Sequence, residues 1–425
     1  MKEQKQVVAM IGLGYIGLPT AALMASKGLQ VVGVDVNPDT VKILNEGKVH
    51  IVEPDLDELV YKVVKDGYLR ATTKVEEAEV FIIAVPTPFT DGFKPDLSYI
   101  KSACESIAPK LKEGNLVILE STSPVGATDK MSTWLSELRP DLNVAGQDGV
   151  DDENVTLSLA HCPERVLPGK VLEELVSNDR VIGGITEKCS LLAAEFYAKF
   201  VEGTCVITNA RTAEMAKLTE NSFRDVNIAF ANELSMICEK FDINVWELIE
   251  LANRHPRVNI LQPGCGVGGH CIAVDPWFIV DSAPELTKVI HAARLVNDGK
   301  PHWVVQQVDK MVTDFLLKNP SKGIKDVKIS CYGLAFKPNI DDLRESPALE
   351  ISEMLSKKYS GQVSVVEPNI NELPAQSSLR KSSSKLVSQE EAGNADVKVV
   401  LVAHDSFKED YNLLDGHTIN VAWAS

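Results

Sequence analysis

The sequence contains no Cys-x-x-Cys pair and no apolar run of the ~20 residues that a membrane-spanning helix needs. Its eight cysteines are spread over 425 residues, so we expect free thiols in a reducing compartment rather than a disulfide framework. The first six residues are polar and lead directly into a strand-like segment, which is not the pattern of a signal peptide. These absences predict a cytoplasmic protein that has no membrane partner.

Positive charge is also scarce. The chain has 43 Lys and Arg against 60 Asp and Glu, a formal net charge of −17. Such a surface repels nucleic acid on average, so we expect no nucleic-acid partner. An anionic small molecule is not excluded, because several arginines fall in or beside the motifs described below. For any single arginine, an ordinary surface ion pair is the alternative. The arginines concerned are Arg165, Arg224, Arg254, Arg257 and Arg344.

The order of strand-like and helix-like segments predicts two α/β blocks on either side of a helical middle. The fold class that follows is α/β, with two Rossmann-like doubly wound domains joined by a long central helix and helical connector. The predicted strands are Val7–Ile11, Val31–Asp35, Val80–Val85, Leu116–Glu120, Leu157–His161, Val181–Gly184, Val327–Tyr332, Val363–Glu367 and Val397–Ala403.

The helical middle is recognised by its lack of Pro and Gly, the two residues that most often interrupt helices. The pattern turns almost wholly helical from about Asn209 to Arg254. No Pro or Gly occurs from Thr204 to His255, which allows one very long helix followed by a shorter one from about Val245. We therefore predict three parts, with boundaries at 1–203, 204–318 and 319–425. A Ser/Lys-rich stretch, Gln376–Gln389, is predicted to be a mobile loop.

A glycine-rich turn follows the first predicted strand. It has the pattern Gly-x-Gly-x-x-Gly and consists of Gly12, Leu13, Gly14, Tyr15, Ile16 and Gly17. Such glycines let a pyrophosphate approach the N-terminus of a helix closely. Asp35 ends the second strand 18 residues after Gly17 and is expected to accept a hydrogen bond from a ribose 2′-hydroxyl. A 2′-phosphate would be repelled there, so the pattern predicts NAD as the cofactor. Thr87 and Thr122 follow the next strands at the same edge; capping or turn hydroxyls are the alternative for each.

Polar residues recur on one face of the long predicted helix. Glu214, Lys217, Asn221 and Arg224 are spaced by three, four and three residues, although apolar residues dominate the rest of the segment. A solvated face with intrahelical ion pairs is the alternative. Because the helix connects the two α/β blocks and mixes an amine, an amide and a guanidinium, we favour a functional face that includes Lys217 and Asn221.

A second glycine-rich segment precedes Cys271. Gly266, Gly268 and Gly269 lie just before it, where backbone N–H groups can stabilise a thiolate or an oxyanion. Such a thiolate can attack an aldehyde. Asp275, four residues later, is predicted to activate water if a helical turn begins there. Cys265 is expected to be a buried structural cysteine, and a metal site that uses both cysteines and His270 lacks a fourth ligand, so we predict no metal.

Together these motifs resemble the nucleotide-sugar 6-dehydrogenases, the UDP-glucose/GDP-mannose dehydrogenase family, over nearly the whole chain. The hallmark is a Gly-rich loop, a Cys, and an Asp four residues later. Within the family, the residues are most similar to the branch that acts on UDP-N-acetyl-D-mannosamine. The segments that carry this similarity are His161–Gly169, Lys217–Asn227, Asn253–Leu261 and His270–Phe278. Glucose-type relatives usually carry Phe or Tyr at Arg165 and Ser or Thr at His270.

The resemblance implies a four-electron oxidation of the sugar C6 with two NAD⁺, for surface polysaccharide synthesis. It implies an NAD domain, a connector that forms a homodimer or higher oligomer, and a UDP-binding domain. The implied catalytic residues are Cys271, Lys217, Asn221, Asp275 and Glu164. Arg344 is implied to reach the NAD phosphates. The implied nucleotide-sugar contacts are Arg165, Val166, Lys217, Asn221, Arg224, His255, Arg257, Gly268, Phe336 and Lys337.

Other functions stay open at this stage. The same chemistry on UDP-N-acetylglucosamine or UDP-glucose is the nearest alternative. A two-electron dehydrogenase of the hydroxyacid type would not need Cys271, and a non-catalytic NAD sensor would bind NAD without turnover.

The sequence also departs from the family pattern at its end, where the usual Asp and basic residue after the last strand are replaced by Asn420–Ser425.

Overall fold

The structure is a computed structural model, and it describes residues 6–51, 53–90, 92–167, 169–269, 271–382, 384–408 and 417–422. The chain divides into two compact units, residues 1–220 and 221–425. None of the helices in the described ranges is both long and apolar enough to cross a membrane.

The first unit is built on an eight-stranded sheet and a small two-stranded hairpin. The strand order in the large sheet is β10-β9-β8-β7-β4-β1-β2-β3, and the hairpin pairs β5 with β6. The strands are β1 Val7–Ile11, β2 Gln30–Val34, β3 Leu69–Thr72, β4 Val80–Ile83, β5 Phe89–Thr90, β6 Lys94–Pro95, β7 Leu116–Leu119, β8 Ser158–His161, β9 Arg180–Gly184 and β10 Cys205–Asn209.

Neighbouring strands of this sheet run parallel except β8 and β9, which are antiparallel. The sheet is buried on both faces, because side chains of a strand alternate between two cores. In β1, Val8 and Met10 belong to one core, whereas Ala9 and Ile11 belong to the other. The order β3-β2-β1-β4-β7-β8 is that of a dinucleotide-binding sheet, whose ligand crevice lies between β1 and β4 at the carboxyl ends.

Helices cover both faces of this sheet, and the last one continues into the second unit. Helix α8 is 32 residues long and begins directly after β10. The helices are α1 Gly17–Ser26, α2 Pro38–Asn45, α3 Leu56–Lys65, α4 Ser98–Ile107, α5 Ala127–Leu138, α6 Val171–Ser177, α7 Glu187–Tyr197 and α8 Ala210–Phe241.

The second unit contains the rest of α8, further helices and a parallel five-stranded sheet of order β13-β12-β11-β14-β15. Its strands are β11 Ile329–Tyr332, β12 Val363–Val366, β13 Lys385–Leu386, β14 Val397–Val400 and β15 Thr418–Asn420. Its helices are α9 Val245–Asn253, α10 Asp275–Ser282, α11 Lys288–Lys318, α12 Pro347–Lys358, α13 Ser378–Lys381, α14 Gln389–Ala392 and α15 Asp405–Lys408.

The predicted α/β class with two doubly wound sheets and a long central helix is confirmed. One local prediction was wrong: the stretch Gln376–Gln389 is not a loop, because it contains α13 and the edge strand β13. The helical pattern predicted from about Asn209 agrees with α8, which begins at Ala210. The residues before it, Cys205–Asn209, pair with β9 as an edge strand that was not predicted. The first sheet therefore extends past the predicted boundary at residue 203, and the three-part division itself stays a prediction.

Candidate active site

The glycine turn after β1 is required by close backbone packing. Gly12 has φ +96°, and a Cβ on it would lie 2.4 Å from the carbonyl oxygen of Ala84. A Cβ on Gly17 would lie 2.0 Å from the carbonyl oxygen of Gly12. Gly14, in contrast, has no heavy atom within 4 Å of the position that a Cβ would take, so open space faces the turn at that residue.

Asp35 lies against the same turn. Its Oδ2 accepts a hydrogen bond from the N–H of Leu13 at 3.1 Å, and its Oδ1 accepts from the N–H of Asn37 at 2.9 Å. Helix α1 begins at Gly17 without a side-chain N-cap. A glycine turn with open space, an uncapped helix N-terminus and an acid at the end of β2 fit NAD. Tyr15 is 52% exposed and Ile16 is half-buried beside this turn.

Gly14 provides a test of this cofactor site. Because the space around it is open, Gly14→Ala is expected to leave the melting temperature nearly unchanged. The added methyl group would stand where the pyrophosphate approaches, so KM for NAD is expected to rise about 10-fold or more. Gly299→Ala is the matched control, since Gly299 also faces open space but lies in α11. An unchanged KM for NAD in Gly14→Ala would contradict this location of the cofactor.

Thr87 and Thr122 meet at the carboxyl edge of the sheet. The hydroxyl of Thr87 donates to the carbonyl oxygen of Thr122 at 2.5 Å. Both residues are half-buried and follow the neighbouring strands β4 and β7. The contact brings together two of the predicted cofactor residues, and their role in binding NAD stays a proposal.

The predicted polar face of α8 is divided by burial. Glu214 is fully buried, and its carboxylate accepts hydrogen bonds from the N–H groups of Gly126 and Thr128, at 2.6 and 2.8 Å. It thereby caps the N-terminus of α5. Burial raises the pKa of Glu214. Lys217 and Asn221 are half-buried one turn apart, and Arg224 is exposed.

Glu164 and Arg165 follow β8 and take different partners. The Glu164 carboxylate forms a buried ion pair with Arg180, and its Oε1 also accepts from the N–H of Arg165 at 2.6 Å. The Arg165 guanidinium pairs with Glu220 on α8 at 2.6 Å. The sequence motif identified Glu164 and Arg165 but not Arg180, which starts β9 and reaches Glu164 only through the antiparallel pairing of β8 with β9.

Cys271 is exposed at the end of the second glycine segment. Its carbonyl oxygen accepts hydrogen bonds from the N–H groups of Val274 and Asp275, at 3.0 and 2.8 Å. This is the helical turn on which the predicted pairing with Asp275 depends, and α10 begins at Asp275. Cys265 is buried, and burial raises the pKa of its thiol to about 12. His270 lies outside the described residues.

Asp275 connects the cysteine turn to the long helix. The side chain is 3% exposed, and its Oδ2 accepts a hydrogen bond from the amide of Asn221 at 2.5 Å. Two residues 54 positions apart in the sequence, both predicted to be catalytic, are therefore in direct contact. The contact fixes the orientation of a buried carboxylate within one turn of an exposed thiol.

The glycine segment is packed against the loop that follows β11. A Cβ on Gly268 would lie 2.7 Å from Cβ of Phe336, and the N–H of Gly269 donates to the carbonyl oxygen of Arg344 at 3.2 Å. The exposed side chain of Arg344 pairs with Asp342 at 2.6 Å. Gly268 and Phe336, two predicted nucleotide-sugar residues, thus touch, and Lys337 is the exposed neighbour of Phe336.

A buried chain of hydrogen bonds holds the start of the second glycine segment, and the sequence did not reveal it. The N–H of Gly264 donates to Oδ1 of Asn232 at 2.8 Å, and the Asn232 amide donates to Asn297 at 2.9 Å. Asn297 in turn donates to Asp225, which is ion-paired with the buried Arg294 at 2.6 Å. These residues come from α8 and α11, and no local spacing links them, so only the packing of the two helices brings them together.

The remaining predicted nucleotide-sugar residues lie in three places. Val166 is half-buried after β8, and Arg224 is exposed on α8. His255 and Arg257 are exposed in the segment that follows α9, where the N–H of Arg257 approaches Nδ1 of His255 at 3.4 Å. Their contact with a nucleotide sugar stays a prediction.

Comparisons with known proteins identify the family. Residues 6–201 match the NAD-binding domain of the UDP-glucose/GDP-mannose dehydrogenase family, residues 211–299 its central domain, and residues 330–420 its UDP-binding domain. A UDP-N-acetyl-D-mannosamine dehydrogenase from Campylobacter jejuni is 59% identical over 408 residues, which is 96% of this chain and 97% of that protein.

Two further known proteins are similar to this chain. An NDP-N-acetyl-D-galactosaminuronic acid dehydrogenase from Ralstonia nicotianae is 57% identical, over 95% of this chain and 92% of that protein. The structure of a UDP-D-ManNAc dehydrogenase from Pyrococcus horikoshii is 39% identical with a TM-score of 0.83, over 95% of this chain and 91% of that chain. The chain belongs to the UDP-glucose/GDP-mannose dehydrogenase family and is an NAD-dependent UDP-sugar dehydrogenase.

Proposed function

We propose that the chain oxidises UDP-N-acetyl-D-mannosamine at C6 to UDP-N-acetyl-D-mannosaminuronate with two NAD⁺ per sugar. The observation that carries the proposal is the exposed thiol of Cys271 one turn before the buried carboxylate of Asp275, which the Asn221 amide holds. The substrate follows from the names of the relatives from Campylobacter jejuni and Pyrococcus horikoshii. NAD, when bound, accepts a hydride from C6 in each oxidation.

In the first oxidation the C6 alcohol loses a proton and a hydride and becomes an aldehyde. We assign the stabilisation of the developing oxyanion to Lys217 and Asn221, an amine and an amide one turn apart on α8. A half-buried ammonium group acts more strongly on a nearby negative charge than an exposed one, because less water screens it. As the family resemblance implies, Lys217 and Asn221 also help the hydroxyl proton to leave.

In the second oxidation the thiolate of Cys271 adds to the aldehyde carbon and forms a thiohemiacetal. Loss of the second hydride gives a thioester. Water then adds to the thioester carbonyl, the C–S bond breaks, and the acid and the thiolate are released. We assign the acceptance of the water proton to Asp275, with Glu164 orienting water or protons as the family resemblance implies.

We propose that the nucleotide sugar is held by the residues that the family resemblance implies. Phe336 packs on Gly268 and Gly269 of the second glycine segment. This packing is the observation that favours a role for Phe336 and Gly268 in holding the UDP part of the substrate. The full proposed set is Arg165, Val166, Lys217, Asn221, Arg224, His255, Arg257, Gly268, Phe336 and Lys337, with Arg344 directed to the NAD phosphates.

A second substrate has support from one relative. The Ralstonia protein, at 57% identity, is named for an N-acetylgalactosaminuronic acid product, so the same chemistry on a different 2-acetamido sugar is the competing function. A panel of UDP-ManNAc, UDP-GlcNAc, UDP-GalNAc and UDP-glucose, read by NADH absorbance, decides between them. We expect the highest kcat/KM with UDP-ManNAc, and a preference for any other sugar would refute the proposed specificity.

We propose that the chain forms a homodimer through α8. Four large apolar residues on one face of this helix are exposed: Phe223, Phe230, Ile237 and Phe241, at 71, 52, 44 and 63%. Their spacing of seven, seven and four residues places them on a single stripe. Such a stripe on a long helix is suited to pair with the same stripe of a second copy.

Phe230→Glu tests the dimer. A charge in the middle of the stripe would have to be buried on association, so we expect the dimer dissociation constant to rise more than about 100-fold. Light scattering after gel filtration would then report a monomer. Leu317→Glu is the control, because Leu317 is 76% exposed on α11, outside the stripe. If both variants keep the same mass as the unmodified protein, α8 is not the interface.

A further inference from the structure

A buried polar cluster lies behind Glu164 in the first unit. Glu164 is ion-paired with Arg180, and the two side chains are 5% and 1% exposed. The Arg180 guanidinium lies over the ring of Tyr197 at 5.6 Å, and the Tyr197 hydroxyl donates to Oε1 of Glu120 at 3.1 Å. Oε2 of Glu120 is buried, and no hydrogen-bond partner is found for it within the described part of the chain.

The fold assembles this cluster from four elements. Glu120 follows β7 and precedes the predicted cofactor residue Thr122 by two positions. Glu164 follows β8, Arg180 starts the antiparallel strand β9, and Tyr197 ends α7. Because β9 runs against β8, its first residue lies at the carboxyl end of β8, beside the residues that follow that strand.

The cluster contains two carboxyl groups and one guanidinium. A second buried negative charge would have no partner of its own, and an unpaired buried charge is strongly unfavourable. Glu164 is the group in direct contact with the guanidinium. We propose that Glu120 is a positioning residue for Glu164: it remains a neutral carboxylic acid held by Tyr197, so that the single positive charge of Arg180 is committed to Glu164. This inference rests on the proposed catalytic role of Glu164.

Electrostatics agree with this assignment. Burial, and then the charge of Glu164, raise the pKa of Glu120 to about 8. The other titratable groups that face it are Cys162 after β8, Tyr197 on α7 and Arg180 on β9, and Thr20 on α1 adds a neutral hydroxyl. Burial raises the pKa of Cys162 and of Tyr197 far above neutrality, and the pKa of Arg180 is raised as well. Glu120 is therefore the member of this set that titrates in the working range.

The consequence is an alkaline limit on activity. Below about pH 8 Glu120 is neutral, and above it the ionised carboxylate competes with Glu164 for Arg180. The free energy of unfolding should also depend on the ionisation of Glu120. Because its pKa in the folded protein exceeds the 4.5 of an ordinary glutamate, its contribution is complete below about pH 4.5 and is lost as the pH rises through about 8.

Glu120→Gln keeps the shape of the neutral acid and removes its titration. We expect a fall in kcat of the unmodified enzyme around pH 8. We expect Glu120→Gln to retain kcat near neutrality and to lack this fall. Tyr197→Phe removes a hydrogen bond that lowers the pKa of Glu120, so the same fall should shift to higher pH. Glu214→Gln is the matched control: it also removes a buried carboxylate, but one that caps α5, so it should lower the melting temperature without moving the alkaline limb.

A measurement that does not depend on turnover separates this inference from the proposed function. Infrared spectra in heavy water should show the C=O band of a protonated buried carboxylic acid at pH 6.5, lost by pH 9.5 and absent in Glu120→Gln. If no UDP-sugar is oxidised but this band is found, the proposed function fails and the neutral state of Glu120 stands. The inference is overturned if the band persists in Glu120→Gln, or if NADH forms and the alkaline limb is the same with and without Glu120.

Discussion

Cys271→Ala is expected to abolish uronate formation, with a loss of at least ~10³-fold in the rate, as for other removed nucleophiles. The physical reason is that no other group in the proposed reaction forms the covalent bond that lets the aldehyde lose a second hydride. Mass spectrometry of the product should therefore find no UDP-uronate after long incubation with UDP-ManNAc and NAD⁺.

Cys265→Ser is the control for this experiment. Cys265 belongs to the same glycine segment, but it is buried and packs in the core of the second unit. We expect it to keep uronate formation at a rate close to that of the unmodified enzyme and to show a lower melting temperature, because a hydroxyl replaces a buried thiol. Uronate formation by Cys271→Ala at an unchanged rate would remove the cysteine from the mechanism.

Lys217→Met is expected to lower kcat by about 10²- to 10⁴-fold, the range for a lost oxyanion or proton-transfer group. Methionine keeps the length and most of the apolar stem of lysine, so α8 should remain intact. Because the positive charge acts on the oxyanion of the transition state, KM for the sugar should change much less than kcat. Steady-state kinetics with UDP-ManNAc measures both.

Lys318→Met removes an exposed lysine from the end of α11 and serves as the control. Its kcat and KM are expected to match those of the unmodified enzyme. If Lys217→Met raises KM and leaves kcat unchanged, Lys217 binds the ground state and does not stabilise the oxyanion, and the proposed first step would be wrong.

The strand pattern was predictable because buried parallel strands are continuous apolar runs. All nine predicted strands overlap observed ones, from Val7–Ile11 to Val397–Val400. The edge strand Cys205–Asn209 was missed for the opposite reason: its side chains are largely exposed, and only its backbone pairing with β9 defines it. Pairing of this kind is non-local and leaves no periodic signal in the sequence.

The part of the candidate site that could be predicted is the part whose residues are close together in the sequence. Cys271 and Asp275 are four residues apart, and in the structure they lie at the two ends of one helical turn. Spacing could not show which polar residues of α8 are buried, so Glu214 was placed on the same polar face as Lys217 although its carboxylate caps α5. Arg180 was missed because its contact with Glu164 depends on the direction of β9.

The stoichiometry of NADH tests the central claim most directly. A limiting amount of UDP-ManNAc is incubated with excess NAD⁺ until absorbance is constant, and the product is identified by mass. A four-electron oxidation through Cys271 predicts two NADH per sugar and UDP-N-acetylmannosaminuronate as the product. One NADH per sugar with a released aldehyde, or no NADH at all, would contradict it.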